Sequence, residues 1–453
     1  MSEKSTEKQD RSGDKKAKKS APEYGCVPSW FWYTAFGSWI VINACRLFYG
    51  IRIKADKEVK KLPGPLVIVG NHPSYIDPIL MGTALYGRPI NFVAGEFLFR
   101  RKIFGHIITK GGCIPKAQYR NDVRTVKAMF RVLSRGGVLG IFPEGTRLTD
   151  GHSIDFEPGL ATLIKRAGAG LVVFRSHGAY MTWPRWSKDS MRKGRITGEF
   201  TRVIPKEEIE KMSVDEVYAT MKKELEYDEY EYFSDHIQEF KSKIPAEGVE
   251  NVANICPKCE GINTTSAVKD LLTCRVCGNQ VVMNKRGFFE PKTPEDKCFS
   301  TLHQWTQWEK TIYEREIGKP DYCLTEKVEL HQHCGIRDYA KVGTGVLTIK
   351  DGVITYEGTL CAPEEGILYK KGKPVPEHAD RDLSKIGKPV KKEFPIRTMK
   401  GILMDFGKYM EIYEASGQEN RIVPENPQRL YEIQSIVSAM KKKLKEEDEE
   451  KPS

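Results

Sequence analysis

No basic stretch of this chain is interleaved with aromatic residues, so its formal charge of +11 does not come in a nucleic-acid-binding pattern. The charge still suits an anionic partner, such as a membrane surface or a phosphorylated lipid, and no nucleic acid is expected. Cysteine is too sparse for a disulfide framework. The 453 residues hold eleven, four at metal-ligand spacing and the rest scattered, which fits a reducing cytosol. A cleaved signal peptide is also not expected. Residues 1–22 mix Lys, Glu, Ser and Asp without apolar periodicity and read as a disordered, mildly basic arm.

The arm gives way to an uncharged, aromatic stretch from Tyr24 to Cys45, with Trp30, Phe31, Trp32, Tyr33, Phe36, Trp39 and Ile40. It is just long enough to span a bilayer, but basic residues flank both ends (Lys15 to Lys19; Arg46, Arg52, Lys54) and set no orientation. Trp and Tyr crowd its first half, where an interfacial segment would place them. Interfacial or re-entrant insertion over residues 23–60 is therefore expected ahead of a true span or a core helix.

Two stretches carry the chemistry. Leu66–Val69 reads as a buried strand stopped by Gly70, Asn71 and Pro73, so His72 sits at a strand end, which faces the ligand crevice in open α/β sheets. If a helix begins near Ser74, Asp77 can reach one imidazole nitrogen and leave the other free as a general base. The plainer reading is a strand-to-helix turn capped by Asp77. About seventy residues on, Val138–Phe142 is another such run, followed by Pro143-Glu144-Gly145-Thr146-Arg147.

Together, Asn-His-x4-Asp and Phe-Pro-Glu-Gly-Thr-Arg resemble the glycerolipid acyltransferase family, over roughly Pro63 to Ile204. The resemblance implies an O-acyltransferase that moves a fatty acyl group from acyl-CoA or acyl carrier protein to a lysophospholipid, foremost 1-acylglycerol 3-phosphate (lysophosphatidic acid). Another lysolipid or glycerol 3-phosphate is the alternative acceptor. It implies His72 as base and Asp77 as its orienting partner, with no covalent acyl-enzyme, consistent with the lack of a Ser or Cys nucleophile motif. It further implies Arg147 on the substrate phosphate, Glu144 and Thr146 beside it, and Gly145 where backbone approaches a ligand. A mutual salt bridge is the structural alternative for Glu144 and Arg147. The chain departs from the family pattern twice. Lys116 and Arg120 are the available cations after Gly111-Gly112-Cys113-Ile114-Pro115, and Arg175 stands at a strand end where the family has a proline nearby. All three are candidate phosphate binders. The family also implies membrane association, here expected at the cytoplasmic face.

The length leaves room for two or three domains. Strands are predicted at Leu66–Val69, Ile90–Ala94, Cys113–Pro115, Val138–Phe142 and Leu171–Phe174. Helices are predicted around Asp77–Leu85, Glu96–Ile108, Asp122–Arg135 and Pro158–Ala167. The alternation argues for an α/β acyltransferase domain, 61–245, with a mixed, largely parallel sheet. Cys256-x2-Cys259, fourteen residues, then Cys274-x2-Cys277 matches a zinc ribbon (250–290) in which four thiolates hold one structural Zn²⁺. His331 and His333 share a strand face and either pair or pack. A helical linker (291–321) leads to a strand-rich portion, 322–446, with an Asp351-Gly352 hairpin turn and a closing amphipathic helix capped by Asn426. That pattern resembles a pleckstrin-homology-like or GRAM-like barrel. A membrane-tethered scaffold with an inactive acyltransferase is the reading from another class.

Overall fold

The computed structural model describes residues 24–25, 42–54, 56–117, 122–334, 338–361, 369–370, 373–374, 386–414 and 418–449. The basic arm, the aromatic run from Trp30 to Ile40, and Arg120 lie outside them. Among the described residues, no helix is long and apolar enough to cross a membrane.

Six strands form the first sheet: β1 (Leu66–Gly70), β2 (Asn91–Gly95), β3 (Ile114–Lys116), β4 (Val138–Ile141), β5 (Gly170–His177) and β6 (Thr197–Ile204). Their order is β3-β2-β4-β1-β5-β6, parallel except for β6, which runs antiparallel to β5. All five expected strands are present. The edge strand β6 escaped prediction because only Phe200, Val203 and Ile204 are apolar in it. The expected helix Glu96–Ile108 is two helices, Glu96–Phe99 and Lys102–Lys110.

A parallel sheet is covered on both faces, so its central strand reads as an unbroken apolar run. Every residue of β1 is buried. Ile68 and Phe174 pack under the helix Asp77–Ala84, while Val67, Val69, Leu171 and Val173 pack under the helices Val123–Ser134, Gly159–Ala167 and Val214–Leu225. Register then positions the site. Val69 is level with Ile141 in the neighbouring parallel strand, so residues 72 and 144, three further along each chain, emerge side by side.

Four short antiparallel strands come next: β7 (Thr265–Val268), β8 (Leu271–Cys274), β9 (Gln280–Met283) and β10 (Phe289–Pro291). The last sheet comprises β11 (Leu324–Cys334), β12 (Asp338–Lys350) and β13 (Val353–Leu360), then β16 (Pro389–Pro395), β17 (Leu403–Asp405), β18 (Tyr409–Tyr413) and β19 (Glu419–Pro424). A two-stranded pair, β14 (Tyr369–Lys370) and β15 (Lys373–Pro374), stands apart. The order β16-β13-β12-β11-β19-β18-β17 is antiparallel throughout, and among the described residues no pairing joins the outer strands into a ring. Asp351 (φ 49°) and Gly352 (φ 74°) form the hairpin turn, in the left-handed region that a two-residue primed turn demands. Asn426 accepts from the Gln428 N–H at 3.1 Å, just ahead of the closing helix Arg429–Glu449.

These parts are not beads on a string. Leu148, Tyr180 and Trp186, which follow β4 and β5, share one apolar cluster with Val281 of β9, Trp305, and Ile412 of the last sheet. The stretch expected as a linker is a central helix, Leu302–Ile317, with Trp305 fully buried and Glu309 accepting from the Ile255 N–H at 2.8 Å.

Candidate active site

The site is built at the carboxyl ends of β1, β4 and β5. Asn71 closes β1 onto β5. Its amide donates to the Ser176 carbonyl (3.0 Å) and accepts from the Ser176 N–H (2.9 Å), a pairing that needs one donor and one acceptor on one side chain. This fixes the backbone from which His72 projects. The imidazole stacks on Phe142, 4.5 Å between centroids, and its Nδ1 lies 2.7 Å from Asp77 Oδ2. Asp77 opens its helix ahead of Pro78, and the same Oδ2 accepts from the Ser74 N–H at 2.8 Å. Asp77 is the first helical residue and not the cap, which is Ile76 without a side-chain cap bond. The plainer capping reading therefore does not hold, and the carboxylate is committed to the Ser74 turn and the imidazole. Asp77 Oδ1 is buried with no hydrogen-bond partner among the described residues.

With Nδ1 donating to the carboxylate, Nε2 is left as the free base, and about a fifth of the side chain (21%) is exposed. Burial, then the positive charges of Arg147 and Arg185, lowers His72 from 6.5 to about 3. The imidazole is neutral at physiological pH and able to accept a proton. Burial also pushes the Asp77 carboxyl up, against the Ser74 N–H and the Arg147 charge.

Glu144 uses both oxygens on backbone. Oε1 accepts from the His72 N–H (3.2 Å) and Oε2 from the Ile154 N–H (3.1 Å). It orders two loops and forms no ion pair with Arg147. Burial raises its carboxyl to about 8. Gly145 has φ +69°, and a Cβ there would meet nothing within 4 Å, so conformation, not crowding, selects glycine. The Arg147 guanidinium lies 3.3 Å over the Tyr75 ring, and its Nη1 is buried without a hydrogen bond among the described residues. Thr146 Oγ1 accepts from Arg185 Nη1 at 2.9 Å.

His72, Asp77, Glu144, Thr146 and Arg147 thus come together, whereas two expected cations do not join them. Arg175 continues the row Leu171–Val173, on the face opposite the Asp77 helix. Its Nη2 donates to the Glu224 and Glu226 carbonyls at the end of the helix Val214–Leu225. Alternation along the strand sends it away from His72. Lys116 ends β3, the outer strand, three strand spacings or about 14 Å from β1. It is exposed.

Residues missed from sequence come chiefly from afar. Arg185, in the Trp183-Pro184-Arg185-Trp186 run, also donates to the Met404 carbonyl and lies 4.8 Å from the Phe406 ring centre. Asp405, between them, acts electrostatically on Arg147. The β17–β18 hairpin of the last sheet is therefore a wall of the site. A second tie, Arg100 to both Glu419 oxygens (3.1 and 3.2 Å), holds the same sheet to the first domain.

The ribbon cysteines form a separate cluster. Four thiolates about 2.3 Å from one tetrahedral ion would stand about 3.8 Å apart. Cys256 Sγ and Cys277 Sγ are 3.6 Å apart, Cys259 Sγ and Cys274 Sγ 3.7 Å, and all four lie within 4.8 Å of one another. The donor set fits zinc with no position left open.

A histidine held by a carboxylate thus stands with a cation bearing a spare buried donor at the carboxyl ends of parallel strands, an arrangement able to deprotonate an alcohol beside a bound anion. The Acyltransferase family model matches residues 51–175, and over that stretch the chain is similar to 1-acyl-sn-glycerol-3-phosphate acyltransferases. Among its relatives is the chloroplastic 1-acyl-sn-glycerol-3-phosphate acyltransferase of Arabidopsis thaliana, 26% identical over 151 residues. That alignment covers 33% of this chain and 42% of the relative. The 1-acyl-sn-glycerol-3-phosphate acyltransferase of Bacillus subtilis is 26% identical over 157 residues, 34% of this chain and 75% of that protein. The crystal structure of the Thermotoga maritima 1-acyl-sn-glycerophosphate acyltransferase aligns over 43% of this chain and 76% of that one, at 18% identity and a TM-score of 0.35.

Proposed function

We propose that this protein transfers a fatty acyl group from acyl-CoA or acyl carrier protein to the free hydroxyl of 1-acylglycerol 3-phosphate, giving phosphatidic acid. The observation that carries the reading is His72, held by Asp77 at 2.7 Å and kept neutral beside Arg147. His72 Nε2 removes the hydroxyl proton as the oxygen attacks the thioester carbonyl. The tetrahedral intermediate collapses, the C–S bond breaks, and the thiolate leaves as thiol with the proton returned through the imidazolium. Arg147 binds the acceptor phosphate through its spare Nη1, a planar donor suited to that group. Glu144 holds the loops that aim His72. The ribbon carries one structural Zn²⁺, and the lipid is drawn from the cytoplasmic face of a membrane on which the protein rests.

The test is a lipid-product assay on purified protein with several lysolipids and glycerol 3-phosphate, each with both donors. Phosphatidic acid from lysophosphatidic acid is expected, and the product is expected to vanish in His72→Ala. Full product from His72→Ala, or no acylation of any acceptor by wild type, would overturn the reading.

A further inference from the structure

Among the described residues outside the active site and the four cysteines, one cluster of ligand-type side chains joins three distant parts of the chain: His152, Asp228 and His303. One ring nitrogen from each histidine and one Asp228 oxygen lie within 4.8 Å of one another. We propose that these residues bind a divalent first-row metal ion of the zinc type, a second metal site independent of the four cysteines.

The argument rests on how each ligand is held. His152 and Asp228 face each other across a short antiparallel bridge, in which Ser153 N–H donates to the Tyr227 carbonyl and Glu229 N–H to the Gly151 carbonyl, both at 2.9 Å. Asp228 caps the helix Glu229–Asp235 with Oδ1 alone, accepting from the Tyr230 and Glu231 N–H groups at 2.7 and 3.2 Å. Oδ2 takes no part in that cap. His152 Nδ1 lies 2.9 Å from the Ser153 carbonyl. His303 Nδ1 lies 3.1 Å from Asp150 Oδ2, an oxygen that also accepts from Thr306 Oγ1 at 2.6 Å. In both imidazoles an oxygen engages Nδ1 and leaves Nε2 as the free lone pair. A carboxylate or carbonyl behind each histidine is the arrangement that orients metal-binding imidazoles.

Two imidazoles and one carboxylate suit zinc and its neighbours rather than calcium or magnesium, which take oxygen ligands. The rings are stacked, 4.2 Å between centroids and 12° apart. A shared ion would tilt them out of parallel and draw the two Nε2 atoms together, with water completing the coordination. Such an ion would staple the loop after Arg147 to the helices that begin at Glu229 and Leu302. That loop carries Ile154, whose N–H holds Glu144.

The experiment uses the full chain, purified without chelator, dialysed against zinc and then freed of loosely bound ion. Elemental analysis is expected to find two equivalents of zinc. One should remain in His303→Ala and in Asp228→Asn, which keeps an oxygen for the helix cap. If His303→Ala fails to fold, Asp228→Asn decides, with zinc affinity at this site expected to fall at least about tenfold. In the cobalt-substituted protein, the thiolate charge-transfer bands should persist in both variants while the nitrogen–oxygen d–d bands disappear. Cys274→Ser separates the two sites. Should the ribbon hold no metal, wild type would carry one equivalent, lost in Asp228→Asn and retained in Cys274→Ser. A wild-type protein whose bound zinc all depends on Cys274, or an Asp228→Asn protein with undiminished second-site binding, would overturn the proposal.

Discussion

The first and last sheets bury their strands differently, and this decides where each carries chemistry. β1 lies between parallel neighbours and under helices on both faces, so all of its residues are buried and only its end meets solvent. Its polar residues therefore collect at that end. β13 alternates buried and partly exposed positions, as antiparallel strands with one wet face do. Its polar residues are spread along the strand and converge nowhere. What the last sheet offers the site comes from a hairpin tip, Met404 to Phe406, laid against Arg185.

The largest expected effect sharpens this contrast. His72→Ala should lower acyl transfer by about 10²–10⁴-fold. The wet-face variant Val346→Ala should leave turnover unchanged in the same assay. Next comes stability. Ile68→Ala removes a fully buried side chain from the two-sided core and should cost about 2–5 kcal/mol in denaturant unfolding. Val346, 42% exposed, should cost no more than about 0.5 kcal/mol when cut to alanine. Equal losses would erase the comparison. Glu144→Ala should cost a comparable amount, leaving the His72 and Ile154 N–H groups without their acceptor at about 1–3 kcal/mol each where water cannot replace it.

The smallest effect is a pH shift. With His72 lowered to about 3, its base form is populated above that value. The rate should hold through pH 6 and fall only as the pH drops toward 3, well below the ordinary histidine value of 6.5. Arg185→Gln removes a positive neighbour, so His72 should rise and the acid limb of the profile should move up. The stability sign is linked. Between about 3 and 6.5 the unfolded chain binds a proton that the folded one does not, so this histidine's contribution declines as pH falls through that window. A rate profile centred near 6.5 in wild type would show that burial does not control the base.

The same contrast explains what is legible in the sequence. β1 and β4 are legible because strands buried on both faces leave uninterrupted apolar runs, and the motifs sit directly after them. His72, Asp77, Glu144 and Arg147 are legible as short contiguous patterns. Arg175 is misplaced when a strand end is considered without its parity, and parity sends it to the opposite face. Neither Arg185 with Met404 and Phe406 nor Arg147 with Asp405 could be matched, since no local pattern links residues brought together by docking across more than two hundred positions. Nor does Leu302–Ile317 look like a core helix. Its buried Glu309 and its many charged residues resemble a solvated connector until the Ile255 N–H is seen to need that carboxylate.

The shared apolar cluster has a consequence for how the chain is made. Tyr180 and Trp186 leave the ribosome long before later members of their apolar cluster, such as Ile433 and Met440, exist. At about 5–20 residues per second, the roughly 260 residues between Tyr180 and Met440 take on the order of tens of seconds to synthesise. Throughout that interval the first domain's share of the cluster, Leu148 to Phe240, lacks the members that residues after 245 supply. A nascent chain halted near residue 245 should therefore occupy chaperones, and release of the full chain should end the association. The later half of the polypeptide thus acts on the earlier half as a tethered, late-arriving subunit would.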